Sequence, residues 1–184
     1  LKFNDYVFRV CPMLNYRQRN ELELLEKSNA KAASEGKAAE KKKGGKKGRA
    51  ALSRQASAGS ALVEQQQVQL LRSRVANEEV LNLATMQLVK QGERAEAVKY
   101  GDIVQLQHVT SGCYVSVLEA AAPCDPECRA VVLDERGSSA ALFKFMPKFK
   151  AQTEGSIVYY SHAAVLESVK QRGMMLHASK IPYS

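Results

Sequence analysis

The sequence predicts a mainly β domain that is interrupted by a helix-loop-helix arm. Short segments of alternating or β-branched residues, separated by Gly, Pro, Asp and Ser, occupy residues 2–10 and 99–179. Such segments are typical of strands joined by turns. Residues 16–91 instead carry apolar side chains at helical spacing on both sides of a low-complexity stretch. We therefore expect a β domain at residues 1–15 and 99–184 and an inserted arm at residues 16–98.

The clearest β signal is a predicted hairpin at residues 99–117, KYGDIVQLQHVTSGCYVSV. Gly101 marks its start, since Gly tolerates backbone angles that other residues resist. Residues 103–109 alternate between two faces, as a strand requires. Thr, Ser and Gly at positions 110–112 favour a tight turn, and residues 113–117 are rich in β-branched and aromatic types.

Further strands are predicted on both sides of the arm, at residues 3–10, 130–133, 142–146, 157–160 and 164–167. Cys11-Pro12-Met13 ends the first of them and Pro147 ends the third, because Pro cannot donate to a sheet ladder. The first residue is not Met, and a strand is predicted from the outset. We therefore expect a domain that is truncated at one or both ends.

The arm is predicted to contain two helices and a disordered loop. Leu22 and Leu25 lie on one face of the first helix. The second helix, residues 61–91, carries two apolar stripes, which predict packing on a partner helix and on the body of the domain. One stripe comprises Val68, Leu71, Val75, Met86 and Val89, and the other Val63, Leu70, Leu81 and Leu88. Residues 36–60 lack enough apolar surface to offset chain entropy, which predicts disorder.

The positive charge of the chain is concentrated in one segment. The net charge is +8, and residues 37–54 hold eight Lys or Arg and one Glu, so that segment accounts for +7 of it. Proteins that read nucleic acids usually spread basic residues over a face that also carries aromatics, and this segment has no aromatic residue. We expect no nucleic-acid partner. The alternative is a module that binds nucleic acid or an anionic membrane surface through Lys41, Lys42, Lys43, Lys46, Lys47 and Arg49.

The sequence contains no pattern typical of catalysis, metal binding or a cofactor. Its three histidines lie in no nucleophile motif. Its four cysteines do not form the paired Cys-x-x-Cys groups of a zinc site, and Cys124-Asp-Pro-Glu-Cys128 differs from that spacing by one residue. We expect reduced, unligated thiols, with a local disulfide or metal as the alternative. The sequence therefore indicates a binding or regulatory module and not an enzyme.

Several stretches resemble the N-terminal domain of inositol trisphosphate receptors, which the related ryanodine receptors share. In the hairpin these are Tyr100, Gly101, Gln105, Leu106, His108, Ser111, Tyr114 and Val117. In the first strand they are Phe3, Phe8, Cys11, Pro12, Met13 and Tyr16. Leu133-Asp134-Glu135, Gly137 and the run Leu176–Ser179 are similar too. The hairpin alone is also similar to a repeat of protein mannosyltransferases, which is a further alternative, although the Cys-Pro-Met exit and the helical arm argue against it.

The resemblance implies an incomplete β-trefoil with a helical arm, within a ligand-gated intracellular calcium-release channel. Such a domain lowers ligand affinity and relays ligand binding to the pore. Its implied partners are neighbouring subunits of a tetramer and the downstream core that binds inositol trisphosphate, so no ligand-binding residue is expected in this chain. The implied location is the cytosolic face of a calcium-store membrane, either the endoplasmic reticulum or an acidic store, and this segment itself is expected to be soluble.

The resemblance also implies a gating loop at Pro147, Phe149 and Lys150, which touches a neighbouring subunit. The family commonly has Tyr at the position of Phe149, so this chain keeps the ring and lacks the hydroxyl. Separately, Arg54 stands three residues before Ser57, a spacing that basophilic kinases prefer. Ser57 is therefore a candidate phosphorylation site, which mass spectrometry of the protein from its native cell would test.

Deletion of residues 37–54 is expected to leave the melting temperature unchanged, because removing a disordered insertion costs little. The deletion should weaken binding to heparin or to vesicles of acidic lipid, and the lost binding should be the part that falls steeply with salt. Thermal melts and a salt series of binding measurements check both points. A melting temperature that falls by many degrees would show that the segment is structural.

Overall fold

The computed structural model describes residues 7–40, 51–92, 97–149 and 152–178. The strands are β1 (Phe8–Pro12), β2 (Ile103–His108), β3 (Tyr114–Ala121), β4 (Arg129–Asp134), β5 (Phe143–Pro147) and β6 (Ala164–Ser168). The helices are α1 (Arg17–Glu40) and α2 (Ala51–Gln91), and a 3₁₀ helix, Ser139–Ala141, precedes β5. The chain divides into two compact units, one formed by Leu1–Leu14 with Ala84–Ser184 and the other by Asn15–Leu83.

β2 is the central strand of an antiparallel sheet in the first unit. β1 pairs with it from Val104 to His108, β5 pairs with Ile103 and Val104, and β3 pairs at Gln107. Because Val104 and Gln107 each have two partners, β1 borders one edge of β2, and β3 and β5 share the other. β4 and β6 extend the sheet to the order β4-β3-β2-β5-β6. The mainly β prediction is confirmed for this unit, and the trefoil arrangement stays a prediction.

The apolar core of this unit lies between β3 and β5. Val115, Val117 and Phe143 are buried together, with the half-buried Leu106, Leu166 and Leu176 packed against them. The sequence does not signal that β2 is buried on both faces, since it alternates apolar and polar residues. Gln105 and Gln107 are nevertheless buried, and Gln107 Nε2 donates to Gly112 O across the β2–β3 turn at 2.9 Å. Both faces of β2 are therefore covered, since Gln105 and Gln107 point to one face and the buried Val104 and His108 to the other.

The prediction of a strand at residues 157–160 is wrong. Ile157 makes a single antiparallel bridge with Lys99, and the chain then turns, with the His162 N–H donating to Tyr159 O at 2.9 Å. The aromatic and β-branched residues that predicted this strand are largely exposed. Pairing decides the outcome, because β propensity stabilises a strand only where a neighbour strand accepts its hydrogen bonds.

The second unit is an antiparallel helix pair built from α1 and the part of α2 that precedes residue 84. Contacts along the pair follow a constant register: Asn82 bonds Asn15 through both its amide oxygen and its amide nitrogen, Glu78 bonds the start of α1, and Arg72 pairs with Glu26 at 3.1 Å. Leu71 is buried in this unit, and Leu22, Leu25, Val68 and Val75 are half-buried. The predicted faces of both helices that carry these residues are therefore the packed ones.

Two sequence-based expectations about the arm differ from the structure. α1 runs to Glu40 and α2 begins at Ala51, so helix includes residues 36–40 and 51–60, where disorder is expected from the composition. Ala, Lys, Arg and Gln are good helix formers, which favours extension of each helix. The second apolar stripe of α2 is exposed and not packed: Val63, Leu70, Leu81 and Leu88.

Among the described residues, no helix is long and apolar enough to cross a membrane.

Glu78 stabilises the start of α1 from the facing helix. The first backbone N–H groups of a helix have no partner within it. The buried carboxylate of Glu78 accepts from two of them, Gln18 N at 2.9 Å and Arg19 N at 3.4 Å. A negative charge at this end is also favourable because the helix dipole is positive there. Asn15 Oδ1 accepts from a third, Arg17 N, at 3.1 Å.

Glu78→Ala is expected to lower the free energy of unfolding by about 1–3 kcal/mol, because it leaves two backbone donors without their acceptor. The neighbouring Glu79→Ala is the matched control. Glu79 makes only a partly exposed ion pair with Arg19, and such pairs contribute about 0–1 kcal/mol. Urea denaturation followed by circular dichroism measures both variants. Equal losses would contradict a capping role for Glu78.

Candidate functional site

The predicted gating loop is the connection between β5 and β6, and its base is attached to the turn that precedes β2. Tyr100 N–H donates to Ser156 O at 2.9 Å, and Gly155 N–H donates to Tyr100 O at 2.7 Å. On the β5 side, Gly101 N–H donates to Phe145 O at 2.8 Å. Tyr100 is 1% exposed, so its buried ring and both of its backbone groups hold the loop to the sheet.

Gly101 allows this close approach. Its φ of +97° lies in a region that side chains disfavour, and a Cβ at this position would lie 2.6 Å from Glu154 Cγ. Glu154 in turn pairs with Lys144 of β5. From the sequence, Tyr100 and Gly101 indicate only a turn. In the structure they also determine where the β5–β6 loop lies.

The structure places two of the three predicted gating residues, and the third, Lys150, lies outside the described residues. Pro147 is the last residue of β5 and pairs with Ala164 of β6. Phe149 follows two residues later and is 59% exposed. The Lys148 ammonium lies 5.6 Å from the centroid of its ring, a cation–π distance. The Phe149 ring therefore projects from the end of a strand whose position is determined by the sheet.

The same loop carries further aromatic side chains that the sequence reasoning missed. Tyr159 and Tyr160 are exposed, and the His162 ring stacks nearly parallel to Tyr100 at 6.5 Å and edge-on to Tyr159 at 5.3 Å. The sequence predicts a strand at residues 157–160 and no element at His162, so no local pattern places these aromatic side chains on a loop. The loop therefore presents an aromatic surface around a stacked Tyr-His-Tyr cluster.

The other sequence-predicted site residues lie on the arm. Lys41, Lys42, Lys43, Lys46, Lys47 and Arg49 are outside the described residues. Ser57 lies within α2, and its side chain is outside the described part of the chain. The anion-binding and phosphorylation hypotheses therefore stay predictions.

His108, the histidine of the hairpin, has a structural role. His108 is buried, its Nδ1 accepts from Ser111 N–H at 3.3 Å and lies 2.8 Å from Ser111 Oγ, and its ring packs against Phe8. Burial raises the pKa of the Cys11 thiol on the adjacent strand, an effect that the nearby Arg9 charge partly offsets. Within residues 7–40, 51–92, 97–149 and 152–178, no group of three or more His, Cys, Asp or Glu side chains could hold a metal ion.

A cleft lies at the end of β3 that leads into the β3–β4 loop. It is a cleft of about 480 Å³ whose apolar wall includes Val117, Phe143 and Leu176. Its polar side contains Cys124, Asp125, Cys128, Arg129 and His177. The Cys128 Sγ lies 3.5 Å from His177 Nε2, although 49 residues separate the two in sequence. The spacing of Cys124 and Cys128 indicates a possible thiol site in this loop, but only the fold brings His177 to it.

Gly101→Ala is expected to lower the free energy of unfolding by about 1–2 kcal/mol, because the alanine must adopt a left-handed conformation, and to break the Lys144–Glu154 contact. Gly112→Ala is the matched control, since Gly112 also has a positive φ, +74°, and a Cβ there meets no atom within 4 Å. Chemical denaturation measures both. A loss at Gly101 no larger than the loss at Gly112 would contradict a contribution from the close approach of Glu154.

The chain matches a model of a known protein family. The model described as "Inositol 1,4,5-trisphosphate/ryanodine receptor" matches residues 1–183, which is nearly the whole chain. The match includes the first strand, the arm and the sheet with its β5–β6 loop, so it extends well beyond the hairpin that mannosyltransferase repeats also resemble. The chain therefore belongs to the inositol 1,4,5-trisphosphate/ryanodine receptor family.

Proposed function

We propose that this chain is a regulatory N-terminal domain of a ligand-gated calcium-release channel, and that it tunes ligand affinity and relays ligand binding to the pore through a contact between subunits. Family membership supports a receptor-channel domain in general. The observation that carries the relay is the exposed ring of Phe149 at the end of β5. Its ring is available to a partner, while the strand before it is part of the sheet.

The surroundings of Phe149 are those of an interface anchor. Aromatic residues contribute most to many interfaces, and charges around them steer association. Phe149 is followed within the same loop by the exposed Tyr159 and Tyr160, and Lys148 lies against its ring. Phe149 follows β5 by two residues, and the far side of the loop is bonded to Tyr100 through Gly155 and Ser156, so we expect a displacement of Phe149 to reach β5 and the turn before β2.

The remaining features of the proposal follow from the family. The domain would be a β-trefoil with an inserted arm, and its partners would be neighbouring subunits of a tetramer and a downstream core that holds inositol trisphosphate. Its location would be the cytosolic face of an intracellular calcium store. The proposal assigns no catalytic role to any residue, since the family is one of calcium-release channels.

Phe149→Ala is expected to change the free energy of unfolding of the chain by less than about 0.5 kcal/mol, as is usual for an exposed side chain away from special backbone features. In the complete channel the same change should weaken ligand-evoked calcium release and leave ligand binding largely intact. A denaturation curve of the chain, calcium flux through the channel and a ligand-binding isotherm are the three measurements.

Phe149→Tyr is the matched control, because it keeps the ring and adds the hydroxyl that is common in the family. It should retain or increase calcium release. A loss of several kcal/mol in Phe149→Ala would show that the ring is a core element. Normal calcium release in Phe149→Ala would contradict the subunit relay even if the family assignment holds.

A further inference from the structure

The short loop between β3 and β4 brings two thiols to the cleft at the end of β3. Cys124 and Cys128 both line this cleft and are both half-buried. Three backbone hydrogen bonds close the loop: Ala122 N–H donates to Cys128 O at 2.9 Å, Asp125 N–H to Ala122 O at 3.3 Å, and Cys128 N–H to Asp125 O at 3.0 Å. Both thiols therefore line the same cleft, and they lie near enough for the charge of Cys124 to act on Cys128.

The S–H proton of Cys128 has two acceptors. Cys128 Sγ donates to Asp125 Oδ2 at 3.2 Å, and His177 Nε2 lies 3.5 Å away. His177 Nδ1 is 3.1 Å from Ala178 O. A carbonyl oxygen only accepts, so Nδ1 of the neutral ring carries the hydrogen and the Nε2 lone pair faces the thiol. The imidazole is therefore oriented to receive the proton of Cys128.

The Asp125 carboxylate keeps this cysteine in the thiol form. Its hydrogen bond is the largest cause that raises the pKa of Cys128, ahead of partial burial, and the charge that Cys124 would carry raises it further. Since the thiolate is the form that attacks a disulfide, the pair should be slow to react at neutral pH and faster as pH rises. The hydrogen bond from Cys128 Sγ to Asp125 Oδ2 is therefore expected to slow any attack by Cys128 on a disulfide.

We propose that Cys124 and Cys128 form a reversible intramolecular disulfide when they meet a small-molecule disulfide, with His177 accepting the proton of Cys128. Cys128 thiolate attacks one sulfur of the oxidant, the S–S bond of the oxidant breaks, and the first thiolate leaves and takes up a proton. Cys124 then loses its proton to solvent, its thiolate attacks the Cys128 sulfur, and the second small thiolate leaves and takes up a proton. Two electrons pass from the protein thiols to the oxidant, and two small thiols are formed.

Oxidation would alter the cleft. The bond withdraws the Cys128 S–H from both Asp125 and His177, so the contact between the β3–β4 loop and the segment at residues 174–177 loses its hydrogen bond. Met174, Met175 and Leu176 form part of the same cleft. The disulfide therefore couples the redox state of the loop to the position of this segment.

Cys113 is an internal control. It lies just before β3, and the eight residues of β3 separate it from the β3–β4 loop, a distance of about 26 Å along an extended strand. Its Sγ contacts Ser111 O in the hairpin turn. Cys113 is half-buried like Cys124 and Cys128, so it tests whether exposure alone explains the reaction.

The test exposes the reduced chain to glutathione disulfide and identifies the products by peptide mass spectrometry. The expected product is a Cys124–Cys128 bond, seen as the loss of two hydrogens and reversed by dithiothreitol, whereas Cys113 yields only a mixed disulfide with glutathione. Cys124→Ser should trap Cys128 as its mixed disulfide. Asp125→Asn should oxidise several-fold faster than wild type at pH 7, and His177→Gln more slowly.

The rate of the wild type should rise with pH as the thiolate fraction grows, and Asp125→Asn should show a weaker rise over the same range. Thermal melts of each variant establish that it is folded before the rates are compared. Separate mixed disulfides at Cys124 and Cys128 in the wild type would overturn the proposal.

Discussion

The turn at Tyr100 and Gly101 is the constraint on which the β unit depends. Gly101 N–H bonds to Phe145 O, and Phe145 N–H bonds to Asp102 O, so this turn joins β2 to β5. The flanking Tyr100 bonds to both Ser156 and Gly155 of the β5–β6 loop. The φ of Gly101, +97°, lies in the left-handed region that side chains disfavour, and a Cβ there would also displace the Glu154 side chain. The central strand and the exposed loop are therefore attached at the same two residues.

The arm satisfies its own polar groups by different means. Its α1 begins where the carboxylate of Glu78 and the amide of Asn82 reach across from α2, and further along Arg72 pairs with Glu26. Only Leu71 and Tyr16 are buried apolar residues of that unit among the described side chains. A helix pair with so small an apolar interface depends on polar contacts for its register, since these bonds are directional and apolar burial is not.

The β5–β6 loop and the cleft at the end of β3 carry different kinds of side chain. Around Phe149 the described part of the β5–β6 loop exposes aromatic rings. In the cleft at the end of β3, Cys124, Cys128 and His177 offer reactive groups and are partly sheltered by apolar residues. Each feature lies on a loop, where side chains are not consumed by the core, and each loop is held at its base by backbone hydrogen bonds.

Local signals in the sequence determined the element types: alternation predicted β2 and β5, Pro147 marked the end of β5, and helical spacing identified the packed stripes of α1 and α2. The sequence also carried the family motifs and the exposed position of Phe149 beside its charged neighbours. Only the tertiary structure decided which strands pair, since residues 157–160 have strand composition but only one bridge partner. It also decided that Gln105, Gln107 and Glu78 are buried. The contact between Cys128 and His177 was also decided only by the tertiary structure, because a contact across 49 residues leaves no periodic pattern along the chain.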